Sequence, residues 1–155
     1  MSNQCCQRLS LEEWDKKEIV WRDKPFYKDH YRSFFHVPVN FGKKIVRGLE
    51  RVKESGLEAE QMVLCKNDSP WGADLLIPIS QKTDKFNVEL LNGRFITRLF
   101  EGYYGEIKAW IKETKRYCHS KNLEPKEYIF WYATCPKCAK KFGGKVQMVI
   151  LARVE

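Results

Sequence analysis

Two junctions in this sequence, 66 residues apart, share a pattern in which a helix gives way to a strand. SGLEAEQMVLCK begins at Ser55 and KNLEPKEYIFWY begins at Lys121, so that Leu57-Glu58 aligns with Leu123-Glu124. Each junction follows an amphipathic segment and precedes a strand, a turn and another strand. The sequence therefore predicts two copies of one structural unit.

The apolar spacing predicts a helix in each unit. The first begins at Phe41, carries Ile45, Leu49 and Val52 on one face, and ends at Ser55-Gly56, where glycine can adopt the left-handed conformation. The second begins near Tyr104 and has an apolar face formed by Tyr104, Ile107, Trp110, Ile111, Thr114 and Cys118.

The strands that enter these helices have less distinct boundaries. Glu18 to Phe26 is the candidate for the first unit, although Pro25 and the aromatic stretch after it obscure where the strand ends. In the second unit, Phe86 to Leu91 and Arg94 to Glu101 are predicted as two strands separated by Asn92-Gly93.

These elements predict an α+β fold of duplicated βαββ units, each an antiparallel hairpin with one long helix, related by a pseudo-twofold axis. The predicted domain organisation is an N-terminal tail over residues 1–17 and a single domain over 18–155, with units at about 18–80 and 86–155. One helix cannot cover the apolar surface of its hairpin, so pairing of the units predicts a ligand cleft at their seam.

Composition narrows the class of partner. Aromatic residues make up 14% of the 155 residues, which favours a lined cavity for an apolar or aromatic small molecule. The formal net charge is +8, but the basic residues are spread along the whole chain, which disfavours nucleic acid as a partner. A protein partner stays open.

The N-terminal stretch is polar and no apolar run approaches the ~20 residues of a membrane span, so a cytoplasmic protein without a membrane partner is expected. In that compartment the six cysteines are expected to be free thiols. No sequence pattern indicates a cofactor.

The segments GRFITRLFEGYYGEIKAWI and SPWGADLLIPIS, in the duplicated order, resemble the gyrase-inhibitor-like (GyrI-like) superfamily, which includes effector-binding domains of multidrug regulators. The resemblance covers about Val20 to Val154. It is closest to short stand-alone members that end in a C-P-x-C hairpin and are loosely labelled hydrolases.

This resemblance implies an aromatic small-molecule pocket, often with a buried acidic residue. Some members bind bulky cationic drugs, and others hydrolyse cyclopropane-bearing electrophiles with a glutamate and a tyrosine. The chain departs from the pattern in its last strand, VQMVILARV, which lacks the acidic residue, and it carries no DNA-binding helix-turn-helix.

Glu101 and Tyr132 are the candidate catalytic residues. Glu101 precedes Gly102 at the entrance to the second helix, beside Tyr103 and Tyr104. A carboxylate near tyrosine hydroxyls in an aromatic pocket can act as general base on a positioned water while a tyrosine donates a proton. The alternative is that Glu101 only caps the helix.

Further ligand-binding candidates are residues whose types suit an aromatic pocket. Asp74 interrupts an apolar strand, and Trp71 offers a flat wall, or else closes the core. Either face of the strand after Lys126 can line the pocket. The complete predicted set is Trp71, Asp74, Tyr103, Tyr104, Trp110, Tyr128, Phe130, Trp131 and His36.

Cys135 and Cys138 allow three interpretations. Their spacing suits half of a zinc site, but no second pair with that spacing exists. A redox dithiol normally begins a helix in a different context, and the third interpretation is a structural hairpin tip fixed by Pro136. No metal is assigned, and these thiols stay a weak alternative.

The predicted function is binding of an aromatic small molecule, with hydrolytic detoxification of cyclopropane-type electrophiles. The alternative is a non-catalytic module that sequesters drugs or binds gyrase.

Overall fold

The computed structural model describes residues 8–35, 37–60, 62–134 and 136–155. Its elements, in chain order, are α1 (Leu11–Trp14), β1 (Glu18–Phe34), β2 (Val37–Pro38), α2 (Phe41–Ser55), β3 (Leu64–Ser69), β4 (Gly72–Pro78), β5 (Val88–Gly102), a 3-10 turn (Tyr104–Glu106), α3 (Ile107–Ser120), β6 (Glu127–Tyr132), α4 (Pro136–Lys141) and β7 (Val146–Arg153).

The chain forms two compact units. We call residues Trp21–Asn92 the middle unit, and Met1–Val20 together with Gly93–Glu155 the terminal unit. In the middle unit β1 and β3 pair antiparallel with β4. In the terminal unit β5 and β6 pair antiparallel with β7.

The predicted fold class, α+β with duplicated βαββ units and long helices, is wrong. The described structure is mostly antiparallel sheet: β1 and β5 run for 17 and 15 residues, whereas α1 and α4 have only 4 and 6. These long strands also begin in one unit and continue into the other, so the units are not the separate hairpin-and-helix repeats that were expected.

Two sequence signals caused this error. Asn92-Gly93 was interpreted as a turn between two strands, but β5 continues through it. Gly93 adopts an extended conformation with φ +138°, which favours glycine. The Asn92 side chain accepts a hydrogen bond from the Asp23 N–H at 2.7 Å. Pro25 and the aromatic stretch after it obscured where the first strand ends, and β1 in fact continues through Pro25 to Phe34, with the Pro25 carbonyl accepting from the Ile79 N–H at 3.2 Å.

Helix α2 has the bounds that its apolar spacing predicted, and Gly56 ends it with φ +73°. The helix lies close to the sheet of the middle unit at Gly48, where an added Cβ would be 2.8 Å from the side chains of Tyr27 and Ile77. Val52, one turn further on, is buried in the same cluster. A glycine in mid-helix is therefore explained by close packing.

Helix α3 packs on the sheet of the terminal unit through Trp110 and Cys118. Arg98 on β5 helps to fix this packing: its side chain is 12% exposed and forms ion pairs with Asp15 at 2.9 Å and Glu113 at 3.7 Å. Its guanidinium also lies 5.1 Å from the ring centroid of Tyr117. A buried cation paired in this way is costly to disrupt.

The connection between β6 and β7 contains a short helix, α4, where the sequence analysis allowed a hairpin tip. Gly143 and Gly144 follow it with φ +68° and +89°, and the Gly144 N–H donates to the Ala139 carbonyl at 2.8 Å. Within the described part of the chain, no helix has the length and apolar character needed to span a bilayer.

Candidate functional site

Glu101 lies near the end of β5, on the face of the terminal unit's sheet that is opposite α3. It pairs in register with Gln147 of β7, and two residues earlier Leu99 pairs with Val149, which also pairs with Trp131 of β6. Side chains of cross-strand partners project from the same side of a sheet. Glu101, Gln147 and Trp131 therefore share one face.

Trp131 closes part of this face by edge-to-face contact with Trp14, at a centroid distance of 4.8 Å. Both rings belong to the terminal unit, and Trp131 is buried. The face thus has two packed indole rings next to the Glu101–Gln147 register pair, which carries the Glu101 carboxylate.

The carboxylate of Glu101 forms an ion pair with Arg8. The two side chains are 42% and 49% exposed, so water screens the pair, and its contribution is at most about 1 kcal/mol. The guanidinium of Arg8 also lies 5.4 Å from the ring centroid of Phe142. Glu101 is therefore held by a partner that it can exchange at little cost.

The residue after Arg8 is fixed by Gln147. The Leu9 N–H donates to Gln147 Oε1 at 2.8 Å, and Gln147 Nε2 donates to the Leu9 carbonyl at 3.0 Å. Gln147 is buried, and its own N–H donates to the Thr134 hydroxyl at 2.9 Å. Gln147 is thus a clamp for the N-terminal segment.

The start of α3 is organised by Glu106, whose Oε1 accepts from the Tyr103 N–H at 3.1 Å. Gly102 gives it room, since an added Cβ would lie 2.7 Å from the same oxygen. Tyr103 has extended backbone angles, so its side chain projects to the same side of the chain as that of Glu101. Helix capping, the alternative role considered for Glu101, is supplied by Glu106.

Tyr132 lies on the other face of the sheet. It pairs with Met148, which pairs with Phe100, and its ring is 6.0 Å from that of Tyr104. Side chains alternate along β5, so the structure does not bring Glu101 and Tyr132 together on one face. The sequence could not decide this because the cross-strand register was unknown.

The face that carries Tyr132 is the one covered by α3. Trp110 stacks on Phe100 with ring centroids 5.5 Å apart, and Phe130 lies 6.4 Å from Tyr132. Tyr128 packs against Cys118, and burial, followed by the nearby Cys118, raises the pKa of the Tyr128 hydroxyl. These four predicted ligand-binding residues, Trp110, Tyr128, Phe130 and Tyr132, thus belong to the packing of α3.

In the middle unit, Asp74 pairs in register with His30 of β1 and Lys66 of β3. Asp74 Oδ1 lies 3.1 Å from His30 Nδ1, and the Asp74 side chain is only 16% exposed. His30 was not among the predicted site residues. The partner could not be found from spacing, since the residues are 44 positions apart.

Trp71 does not close the core of the middle unit, because it is 59% exposed. Its ring lies 5.3 Å from Phe35 and 6.2 Å from Phe34. Phe35 has φ +48°, an uncommon conformation for a bulky residue. We call Phe34, Phe35 and Trp71 the aromatic tip.

Three predicted positions have a limited outcome. His36 and Cys135 lie outside the described residues. Cys138 is buried, with 0% exposure. In the described ranges, no group of three or more His, Cys, Asp or Glu side chains is placed to hold a metal ion.

Comparisons with known proteins complete the description. Residues 1–154 match the family model described as bacterial hydrolase. A hydrolase from Listeria innocua has a TM-score of 0.66 at 9% identity, over 91% of this chain and 92% of that chain. No curated protein matches the chain.

Two more solved structures from Listeria innocua are similar over the same shares of the chains at 9% identity. They are a hydrolase with a TM-score of 0.64 and an uncharacterized conserved protein with a TM-score of 0.61. At this identity the likeness concerns the fold alone.

Proposed function

The chain belongs to the bacterial hydrolase family, and on that premise we propose that it hydrolyses small aromatic electrophiles with Glu101 as the catalytic carboxylate. The observation that carries the proposal is the common face of Glu101 and Trp131. It supplies an ionised carboxylate next to an aromatic wall.

The chemistry required is general base catalysis. Glu101 takes a proton from a water molecule, whose oxygen attacks the electrophilic carbon of the substrate. In an aryl ester the bond from that carbon to the phenolic oxygen then breaks; in an activated cyclopropane a ring C–C bond breaks, and its electron pair passes to the oxygen of the activating carbonyl. The exposed ion pair with Arg8 covers this carboxylate and must open before Glu101 can accept that proton. Tyr103, on the same side of the chain, is assigned the role of donor to the leaving oxygen in place of Tyr132.

The substrate class follows from the resemblance to GyrI-like proteins and from the aromatic side chains of this face. Activated cyclopropanes and aryl esters both present an electrophilic carbon next to a ring. Trp131 and Trp14 are positioned to bound a flat, apolar group. The proposal thus adds a substrate class to the assignment of the chain to the bacterial hydrolase family.

The test compares single variants on a panel of cyclopropyl electrophiles and aryl esters. Glu101→Gln keeps the shape of the side chain and removes its basicity, so kcat is expected to fall by about 10²–10⁴-fold. Tyr103→Phe removes one hydroxyl and is expected to lower kcat with little effect on KM. Glu12→Gln, an exposed carboxylate on α1, is the matched control and is expected to retain the wild-type rate.

Two results would reject the assignment. If Glu101→Gln turns over every substrate as fast as Glu12→Gln does, Glu101 is not the base. If Tyr132→Phe abolishes turnover while Tyr103→Phe has no effect, the donor is on the α3 side and the assignment of the face is wrong.

A second candidate function is binding without turnover, favoured by the exposure of the aromatic tip. Three solvent-facing rings at contact distance are suited to hold a large aromatic drug. In that case a ligand such as rhodamine 6G should raise the melting temperature of the protein and remain chemically unchanged. Trp71→Ala should abolish the increase, whereas Glu101→Gln should not.

A further inference from the structure

The middle unit carries a His–Asp pair in a row of charged side chains that crosses three strands. His30 on β1, Asp74 on β4 and Lys66 on β3 are register partners, so they project from the same face. We propose that His30 and Asp74 form a general acid–base dyad that hydrolyses aryl esters. The proposal rests on the hydrolase assignment but not on Glu101.

The geometry of the pair determines the tautomer of His30. An ionised carboxylate can only accept a hydrogen bond, so Nδ1, 3.1 Å from Asp74 Oδ1, carries the hydrogen. In the neutral ring the lone pair is then on Nε2, the nitrogen that a general base uses. Asp74 thus acts as a positioning residue for His30.

Two lysines lie beside the carboxylates of Asp74 and Glu89. Lys28 Nζ lies 4.0 Å from Asp74 Oδ2 and 3.2 Å from Glu89 Oε1, and Lys66 Nζ lies 3.0 Å from Glu89 Oε2. The carboxylates are 16% and 21% exposed, so each depends on a nearby cation. The row holds two anions and two cations beside the imidazole.

Space beside Nε2 is provided by Gly72. A Cβ added at Gly72 would lie 2.9 Å from His30 Nε2 and 2.2 Å from the Tyr31 carbonyl oxygen. Its φ of +150° also favours glycine. Glycine at this position therefore lets the imidazole lie directly against the backbone, with 58% of the side chain open to solvent.

The aromatic tip supplies an apolar rest for a substrate. His30 and Phe34 are four residues apart on one strand and project to the same side, about 13 Å from each other at the backbone. Trp71 directly precedes Gly72 and contacts Phe34. A substrate long enough to cross this distance can rest a ring on the tip while it presents its ester carbon to His30, and a shorter aryl ester reaches His30 without the tip.

The reaction needs only water as co-reactant. Nε2 of His30 takes one proton of a water molecule as the oxygen forms a bond to the ester carbonyl carbon. The intermediate collapses by breaking the bond to the phenolic oxygen, which leaves with the electron pair of that bond. The imidazolium returns its proton to the phenolate or to solvent, and neutral His30 is restored.

The test measures hydrolysis of 4-nitrophenyl acetate and 4-nitrophenyl benzoate. His30→Ala is expected to lose about 10²-fold or more of the catalysed rate, and added imidazole is expected to restore part of it. His119→Ala is the matched control, because His119 is another exposed histidine bonded to a carboxylate, 2.7 Å from Glu124. It is expected to keep the wild-type rate.

Asp74→Asn tests the positioning role with a readout that structural damage would not produce. The amide can donate to Nδ1 and so favours the opposite tautomer. The expected result is a loss of about 10–100-fold in kcat, as is typical of an orienting partner, with little change in KM. The ¹⁵N chemical shifts of the His30 ring should show the hydrogen moving from Nδ1 to Nε2.

The outcomes separate the two proposals. Equal rates for His30→Ala and His119→Ala, or a wild-type rate no faster than the same concentration of 4-methylimidazole, overturn the dyad. If ester hydrolysis depends on His30 while no cyclopropyl substrate or ester responds to Glu101→Gln, the dyad stands and the assignment of Glu101 fails.

Discussion

Gly48→Ala in α2 should destabilise the protein, although alanine favours helix by about 1 kcal/mol over glycine. The new methyl group would lie 2.8 Å from Ile77 Cδ1 and 2.8 Å from Tyr27 Cε1, and both side chains are almost fully buried. Overpacking of this kind costs about 1–3 kcal/mol. The net loss in the free energy of unfolding is then expected to be up to about 2 kcal/mol.

Gly42→Ala is the control in the same helix, because an added Cβ there has no neighbour within 4 Å. It should be neutral or stabilise by a few tenths of a kcal/mol, since it gains helix propensity without a clash. Urea unfolding followed by circular dichroism measures both variants. If Gly48→Ala is as stable as Gly42→Ala, the close approach of α2 to Tyr27 and Ile77 is refuted.

Three shorter predictions concern charged groups. Burial raises the pKa of Asp29, but hydrogen bonds from the His30 N–H and Lys44 outweigh it and leave the pKa below its usual value. The resulting stability is present above the unfolded pKa and is lost as pH falls through the folded one, so wild type and Asp29→Asn should converge below about pH 4 in urea unfolding. Arg98→Ala should destabilise by about 1.5–3 kcal/mol in urea unfolding, because the partly buried carboxylate of Asp15 loses its cation and keeps only the hydrogen bond from the Leu99 N–H. Arg8→Ala should raise kcat/KM by up to about fivefold in the ester assay, since the pair with Glu101 contributes at most about 1 kcal/mol.

Each of these has a result that would contradict it. A constant difference between wild type and Asp29→Asn down to pH 3 would show that the carboxylate has no altered proton affinity. A loss in Arg98→Ala below about 1 kcal/mol would show that the ion pairs of Arg98 do not stabilise the packing of α3. A slower Arg8→Ala enzyme would assign Arg8 to the substrate and not to covering Glu101.

Local structure was predictable where the chain repeats a helical period. The spacing of residues from Phe41 to Ser55 predicted both bounds of α2, because apolar residues every three to four positions, with charged residues between them, form one face of a helix. The sequence around Gly93 did not predict the course of β5, since Asn-Gly between apolar runs usually forms the turn of a hairpin. Only the pairing of β5 with its neighbouring strand shows that the strand continues. The predicted fold class was wrong because it depended on strand pairing of this kind, which local sequence does not specify.

The candidate site was predictable in residue type but not in arrangement. Glu101 and Tyr103 were predicted from their position at the end of a strand and their roles stay a proposal, whereas separating them from Tyr132 needed the register between β5, β6 and β7. The contact of His30 with Asp74 joins residues from different strands, which no periodicity reveals. Register is set by packing and twist over the whole sheet, so it lies beyond local pattern.

The alternation along β5 gives this protein two surfaces that can evolve separately. Phe100 and Arg98 are committed to α3, so most replacements there would reduce stability. Glu101, one residue away, points to the other side and is only loosely tied to Arg8. A replacement at Phe100 or Arg98 therefore changes the stability of the fold, whereas a replacement at Glu101 can change the reaction while the scaffold stays intact.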